Sequence, residues 1–269
     1  MIATASARDA LDAATTALMA AGCDTPLLDA ELLIADALGV DRAALIADPA
    51  MAVPAPAARL IGERVRRRTA REPVAYILGR KGFRNIELMV DPRVLVPRPE
   101  TELLVEAALE LSHGASVHEV GTGSGAVALA LCQERPDLRL SASDVSPPAL
   151  ELARANAGRL GLDLELIRAD GLPEGLDCDL VLANLPYVAE TEWAGLEPEI
   201  TRWEPRLALV AGRDGLDAIR GLVGQAPGGA RLALEHAPHQ AEDVRALLSA
   251  PETRRDLAGH ERVTIGAAP

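Results

Sequence analysis

Apolar positions recur at helical spacing through the first seventy or so residues, with Leu11, Ala14 and Leu18 on one stripe and Leu28, Leu32 and Leu33 on the next. Gly22 and Gly39 follow these stripes where helix ends belong, and Asp41 stands as an N-cap. Pro54 and Pro56 interrupt the pattern before a helix over about 57–69. The pattern predicts a small helical domain over 1–75 with no catalytic constellation of its own. From Gly79 the period changes: Phe83, Ile86, Leu88 and Val90, followed by Val94 and Val96, alternate as in a β-hairpin turning near Asp91-Pro92, which predicts a linker over 76–97.

Beyond Pro99 the pattern predicts a helix over 102–111, then strands over 116–120, 139–143, 164–169, 179–183, 231–235 and 262–265. Helices over 126–134, 148–160, 216–225 and 240–249 fall between them. Such alternation implies a mostly parallel sheet covered by helices on both faces, an α/β domain of Rossmann-like type over 98–269.

Composition narrows the class. At 269 residues and 49% apolar, the chain can bury a sizeable core. No apolar run approaches the 18 or so residues of a membrane span, and Arg8, Asp9 and Asp12 break the Ala-rich start, so neither a membrane nor a secretory address is expected and the cytoplasm is. Cys23, Cys132 and Cys178 are far apart and lack CxxC spacing, which points to neither disulfides nor zinc; no metal is expected. Arginine supplies nearly all the basic charge, Lys81 being the single lysine, and this reads as coding bias rather than chemistry. The net charge of −13 disfavours phosphate backbones as partners, and no direct nucleic-acid contact is expected. Charge is uneven, however: residues 59–84 carry eight arginines and Lys81 against Glu63 and Glu72. That stretch is either a solvated helix face or a docking patch.

Candidate chemistry begins directly after the first sheet strand, where Glu119-Val120-Gly121-Thr122-Gly123-Ser124-Gly125 leads into a helix. Glycines there let the backbone turn tightly against a ligand. Taken alone the run also satisfies GxGxxA, so a nicotinamide-dependent dehydrogenase fits at this point. Asp144, about 20 residues further on at the end of the second strand, can accept hydrogen bonds from two ribose hydroxyls, or cap the helix that starts near Pro147. Glu119 separates the two cofactor types: an acid just before the glycines attracts a cationic amino group but sits badly beside a pyrophosphate, so a methionine-bearing cofactor fits better. Asp170 and Gly171, at the end of the third strand, are candidates for the adenine end.

The fourth strand runs into Asn184-Leu185-Pro186-Tyr187, at the sheet edge where open α/β folds bind ligands. A planar NH2 group can donate one hydrogen to the Asn184 side-chain oxygen and the other to the Leu185 carbonyl, with Tyr187 packing on its flat face. Asn184 also borders the cofactor.

These residues resemble the release-factor glutamine N5-methyltransferases of bacteria and organelles. The likeness runs from Arg71-Glu-Pro-Val-Ala-Tyr-Ile-Leu-Gly79 and Val94-Leu-Val-Pro-Arg-Pro-Glu-Thr-Glu102 through the glycine loop, Asp144-Val-Ser146 and the Asn184 motif. It continues through Glu204-Pro-Arg-Leu-Ala-Leu209, Gly212-Arg-Asp-Gly-Leu216 and Leu232-Ala-Leu-Glu-His236. The resemblance implies a Rossmann-like S-adenosylmethionine-dependent methyltransferase domain behind a helical recognition domain, acting on the glutamine of the Gly-Gly-Gln loop of peptide-chain release factors. Two positions depart from the family pattern: Glu119 stands where Asp is usual, and Leu185 where the motif usually has a first proline. Glutamine methylation of a ribosomal protein, adenine N6 methylation of nucleic acid, and a non-catalytic cofactor-binding module are the competing readings. His113, His118 and His236 form no dyad with an acid and read as surface or packing residues.

Overall fold

A computed structural model of the chain describes residues 6–269; the first five residues of the expected helical domain lie outside that range. Local capping explains the first helices. In α1 (Ala7–Ala20) the Ser6 hydroxyl accepts from the Asp9 amide while the Asp9 carboxylate accepts from the Ser6 amide, a closed capping box. Helix α2 (Pro26–Leu38) ends on Gly39 in the left-handed region, and α3 (Arg42–Ala47) starts on Asp41, whose Oδ1 accepts from the Ala44 amide at 2.7 Å. Helices α4 (Ala55–Thr69) and α5 (Val74–Leu78) follow, and Leu18, Ile34, Leu45, Val53 and Ile61 form the shared core.

The remaining elements follow in chain order: β1 (Arg80–Phe83), β2 (Ile86–Met89), α6 (Glu102–Leu109), β3 (Ser116–Val120), α7 (Ala126–Glu134), β4 (Arg139–Asp144), α8 (Pro147–Leu160) and β5 (Glu165–Arg168). Then come β6 (Leu180–Ala183), α9 (Pro198–Trp203), α10 (Asp217–Gln225), β7 (Arg231–Glu235), α11 (Ala241–Ala246), β8 (Ser249–Arg255) and β9 (Glu261–Ala267). The chain divides into two compact units, one running to Gly79 and taking in Glu197–Trp203, the other comprising Arg80–Leu196 and Glu204–Pro269.

Within the first unit the arginine-rich stretch is largely engaged in ion pairs. Arg64 pairs with Asp36 and Arg67 with Glu72. Arg68, buried, bonds Asp29 at 2.7 Å and Glu199 at 2.7 Å, while Arg71 reaches Glu197 and Glu199, which ties α9 to α4. In the second unit Arg84 pairs with Glu134 at 2.6 Å. Neither a uniformly solvated face nor a free patch describes the stretch; Arg59 and Arg66 remain exposed.

The second unit is built on a seven-stranded sheet of order β5-β4-β3-β6-β7-β9-β8, parallel from β5 to β7 and antiparallel at β9 and β8. The expected Rossmann-like architecture is what the structure has. The chain order reverses beside β3, which makes the carboxyl ends of β3 and β6 the switch point where ligands of such sheets bind. Register pairs Val120 with Ala183, so the segments that leave these two strands emerge side by side.

Two expectations need correction. The hairpin pairs Arg80 with Met89 and turns at Arg84, whose φ is +47°, not at Asp91-Pro92. Val94 and Val96 are buried but belong to no strand, in a segment punctuated by Pro92, Pro97 and Pro99 that cannot sustain a ladder. The helix expected over 240–249 ends at Ala246, and β8, unforeseen, begins at Ser249. As a mostly exposed edge strand, β8 has no apolar alternation to read, and its pairing with β9 holds it in place.

Candidate functional site

A cavity of about 590 Å³ opens at the switch point, within the range of small-molecule and cofactor pockets. The loop after β3 makes its floor, and it is held by its own carboxylates. Glu119 is buried, and its Oε2 accepts from the Thr122 hydroxyl at 2.7 Å and the Ala128 amide at 3.0 Å, clasping the loop to the start of α7. Burial pushes the Glu119 carboxyl up to about 7, against the lowering effect of those two hydrogen bonds. Asp144 accepts from the Gly123 amide at 2.9 Å through Oδ2 and from the Ser146 amide at 2.8 Å through Oδ1. The cap of α8 is therefore Ser146, whose hydroxyl accepts from the Ala149 amide, and Asp144 braces the cap from behind.

Glu119, Gly121, Thr122, Gly123, Ser124, Asp144, Asp170, Gly171, Asn184, Leu185 and Pro186 all line this one cavity. Gly125 and Tyr187 are not among the lining residues. Gly125 stands one step deeper as the N-cap of α7, its backbone against Leu129. Tyr187, partly exposed, directs its hydroxyl toward Glu235 Oε1 at 3.5 Å.

Two glycines are required by their surroundings. At Gly121, φ +75°, a Cβ would stand 3.1 Å from Leu185 Cδ2, so the side chain of Leu185 lies directly on the glycine loop. At Gly171, φ +86°, a Cβ would fall 2.0 Å from Gln225 Oε1. Gln225 of α10 accepts from the Leu172 amide at 2.9 Å and donates to the Asp170 carbonyl at 3.4 Å, fixing the loop that carries Asp170.

The segment after β6 is anchored from three directions. Asn184 Nδ2 donates to Thr101 Oγ1 at 3.0 Å. Gln240, buried, donates to the carbonyls of Tyr187 at 2.9 Å and Asp214 at 3.1 Å. Behind both stands Glu235, at the end of β7 and buried, its carboxyl pushed up to about 7 chiefly by burial. Burial also raises the Tyr187 hydroxyl, with the Glu235 and Glu100 charges acting in the same direction.

Sequence reasoning missed these supports, and also Asn156 of α8, fully buried, which donates to the carbonyls of Met89 and Ser124 and accepts from the Met89 amide at 2.7 Å. It missed an apolar wall of Pro205, Leu207, Ala208, Val210 and Ala211 too. The quoted motifs Glu204 to Leu209 and Leu232 to His236 touch this wall and the Glu235 brace, and were the available signal. His118, between the Ser141 and Ser143 hydroxyls, is pulled down to about 4 by burial, and His236 is lowered for the same reason, so both are neutral packing residues near neutral pH. Among the described residues no cluster of His, Cys, Asp or Glu could hold a metal ion, and no helix is long and apolar enough to cross a membrane.

The cavity's features fit a nucleoside-bearing sulfonium cofactor. Glycine backbone borders it at Gly121 and Gly123, a carboxylate at Asp144 faces the space where ribose hydroxyls would donate, and a second acid, Glu119, also lines it.

Comparison with known proteins agrees. The family model described as "PrmC N-terminal domain" matches residues 9–79, and "Methyltransferase small domain" matches residues 99–197. A protein of Cereibacter sphaeroides named release factor glutamine methyltransferase is 41% identical, over 98% of this chain and 99% of the relative. Its namesake from Deinococcus radiodurans is 40% identical over 95% of this chain and 96% of the relative. Among solved structures the hMettl16 catalytic domain, in complex with MAT2A 3'UTR hairpin 6, is 12% identical over 66% of this chain and 73% of that one, with a TM-score of 0.51, a likeness of fold alone.

Proposed function

Since the chain belongs to the release factor glutamine methyltransferase family, we propose that it transfers the methyl group of S-adenosylmethionine to the side-chain amide nitrogen, N5, of the glutamine in the Gly-Gly-Gln loop of peptide-chain release factors. The observation that carries this reading is the side-by-side exit of the glycine loop and Asn184-Leu185-Pro186 into one cavity. In it, Gly121, Thr122, Gly123, Asp144, Asp170 and Gly171 hold the cofactor, and Asn184 meets the acceptor.

An amide nitrogen is a poor nucleophile because its lone pair is delocalised into the carbonyl. The barrier must therefore fall through positioning and electrostatics. When bound, S-adenosylmethionine supplies a methyl group activated by the sulfonium charge. Asn184 Oδ1 and the Leu185 carbonyl accept the two N–H bonds of the substrate amide, aim its nitrogen and stabilise the positive charge that grows there. Only a backbone carbonyl is needed from residue 185, so leucine in place of the family proline keeps the acceptor. Once alkylated, the nitrogen is acidic enough to lose its proton to water or a nearby carbonyl, so neither His118 nor His236 is needed as a base.

The helical unit is proposed to recognise the release factor, and the protein is proposed to work in the cytoplasm. Incubation of the purified protein with labelled cofactor and, in parallel, a release factor, a ribosomal protein fraction, DNA and RNA tests the reading. Label on the release factor alone is the expected result; label on nucleic acid or a ribosomal protein overturns it.

A further inference from the structure

Glu235 is out of place as a structural residue. It is 1% exposed, yet its Oε2 has no hydrogen-bond partner, and the Tyr187 hydroxyl reaches Oε1 only at 3.5 Å. A carboxyl buried with so few partners costs several kcal/mol relative to an apolar side chain of similar size, so packing does not account for it. Its position does. The Thr101 hydroxyl stands near enough to this carboxyl to act on it, though no hydrogen bond of normal geometry joins them, and the same hydroxyl oxygen accepts from Asn184 Nδ2 at 3.0 Å. The charged groups around it are Glu100, next to Thr101, and Arg262 of β9; Tyr187 is the other titratable group.

A threonine hydroxyl has one proton to give. When Glu235 takes it, the Thr101 oxygen is left as an acceptor, and only the NH2 end of the Asn184 amide can meet it. The amide oxygen then points the other way. With an apolar side chain at 235, the Thr101 proton is free to swing toward Asn184 and the amide can turn over, presenting NH2 to the substrate's NH2, donor against donor. We propose that Glu235 is a positioning residue that, through the Thr101 hydroxyl, sets the polarity of the Asn184 side chain so that Oδ1 faces the acceptor nitrogen. This inference rests on the acceptor role given to Asn184 above.

The test combines a double-mutant cycle with a reporter that needs no turnover. Glu235→Met and Thr101→Val should each lower kcat on a release factor by roughly 10- to 100-fold, the scale of losing acceptor alignment, while cofactor affinity changes little. Because the two act in series, the double variant should fall no more than about threefold below the weaker single variant. Glu235→Gln, which still offers an oxygen to Thr101, should recover most of the loss, and serves in the cycle if Glu235→Met does not fold. Independently, the Asn184 side-chain NH2 resonances of the substrate-free protein should keep their hydrogen-bonded shifts in Glu235→Gln and lose them in Glu235→Met. Multiplying losses in the double variant, or unchanged resonances in Glu235→Met, would overturn the proposal. A wild type inactive on release factors would instead overturn the proposed function, and the resonances alone would then decide the role of Glu235.

Discussion

The two loops that form the site are held in opposite ways. The glycine loop is braced mostly by neighbours in sequence: Thr122 bonds Glu119 three residues away and Gly123 bonds Asp144 at a separation of 21, with Asn156 reaching the Ser124 carbonyl at 32. The proposed acceptor segment is braced from a distance, by Thr101 at a separation of 83 residues, Gln240 at 53 and Glu235 at 48. A nucleotide-type cofactor needs a fixed cradle, which a strand, a tight turn and a helix can supply within one unit of chain. Aiming a weakly nucleophilic amide needs an acceptor held from several sides, and that takes the ends of several strands.

If the division is real, substitutions in the two loops separate binding from turnover. Asn184→Ala should cut kcat by roughly 10² to 10³, the scale of one lost preorganised contact. Calorimetry should find its affinity for S-adenosylmethionine within about threefold of wild type. A variant that kept its turnover would place the acceptor elsewhere.

Asp144→Ala should act on the other side. Losing a charged acceptor for two ribose hydroxyls should raise the cofactor Kd on the order of 10- to 100-fold, with a smaller change in turnover at saturating cofactor. Since Asp144 also holds the Gly123 and Ser146 amides, a melting curve must accompany the titration. An unchanged Kd removes Asp144 from the cofactor site.

Leu185→Pro probes the junction of the two loops. Its carbonyl survives, so turnover should stay within about tenfold of wild type. The leucine side chain that lies over Gly121 is lost, so the cofactor Kd should rise by a few-fold at most. Steady-state kinetics that instead collapse would mean that the family proline position has been rebuilt for another acceptor.

The smallest effects expected are those of pH. Glu235 titrates near 7, raised by burial and by Glu100 and lowered by Thr101, Arg262 and Tyr187. Below that pH its protonated carboxyl can donate to Thr101 and release the constraint on Asn184, so kcat should decline a few-fold on acidification, and the Glu235→Gln profile should be flat. Glu119 bears on stability. Its folded-state value near 7 lies above the ordinary 4.5, so the folded protein holds more protons than the unfolded chain between these values. Its contribution to stability is therefore full below about 4.5 and lost as pH rises through 7. The melting temperature of Glu119→Gln should fall less than that of wild type between pH 5 and 8, by about 5–10 °C. Equal pH dependence would mean that Glu119 is not raised.

The same contrast governs what the sequence made legible. Glu119, the glycines and Asp144 lie in one strand-turn-helix-strand run, and each was readable from local spacing. Asn184, Leu185 and Pro186 were readable as an unusual polar and constrained segment at a strand end. Glu235, Gln240, Thr101 and Asn156 were not, because each acts across the fold, and a lone Glu closing an apolar strand reads like any strand end. Tyr187 is legible as an aromatic ring beside a polar motif; that its hydroxyl reaches Glu235, at a separation of 48 residues, is not. The edge strand β8 and the turn at Arg84 escaped for a different reason, since both are set by pairing and backbone geometry, not by apolar pattern.

The most direct test of the account is tandem mass spectrometry of a release factor incubated with the protein and S-adenosylmethionine. The account predicts one added methyl group, located on the side-chain nitrogen of the Gly-Gly-Gln glutamine and absent with Asn184→Ala; a methyl group on any other residue, or none with the wild-type protein, would contradict it.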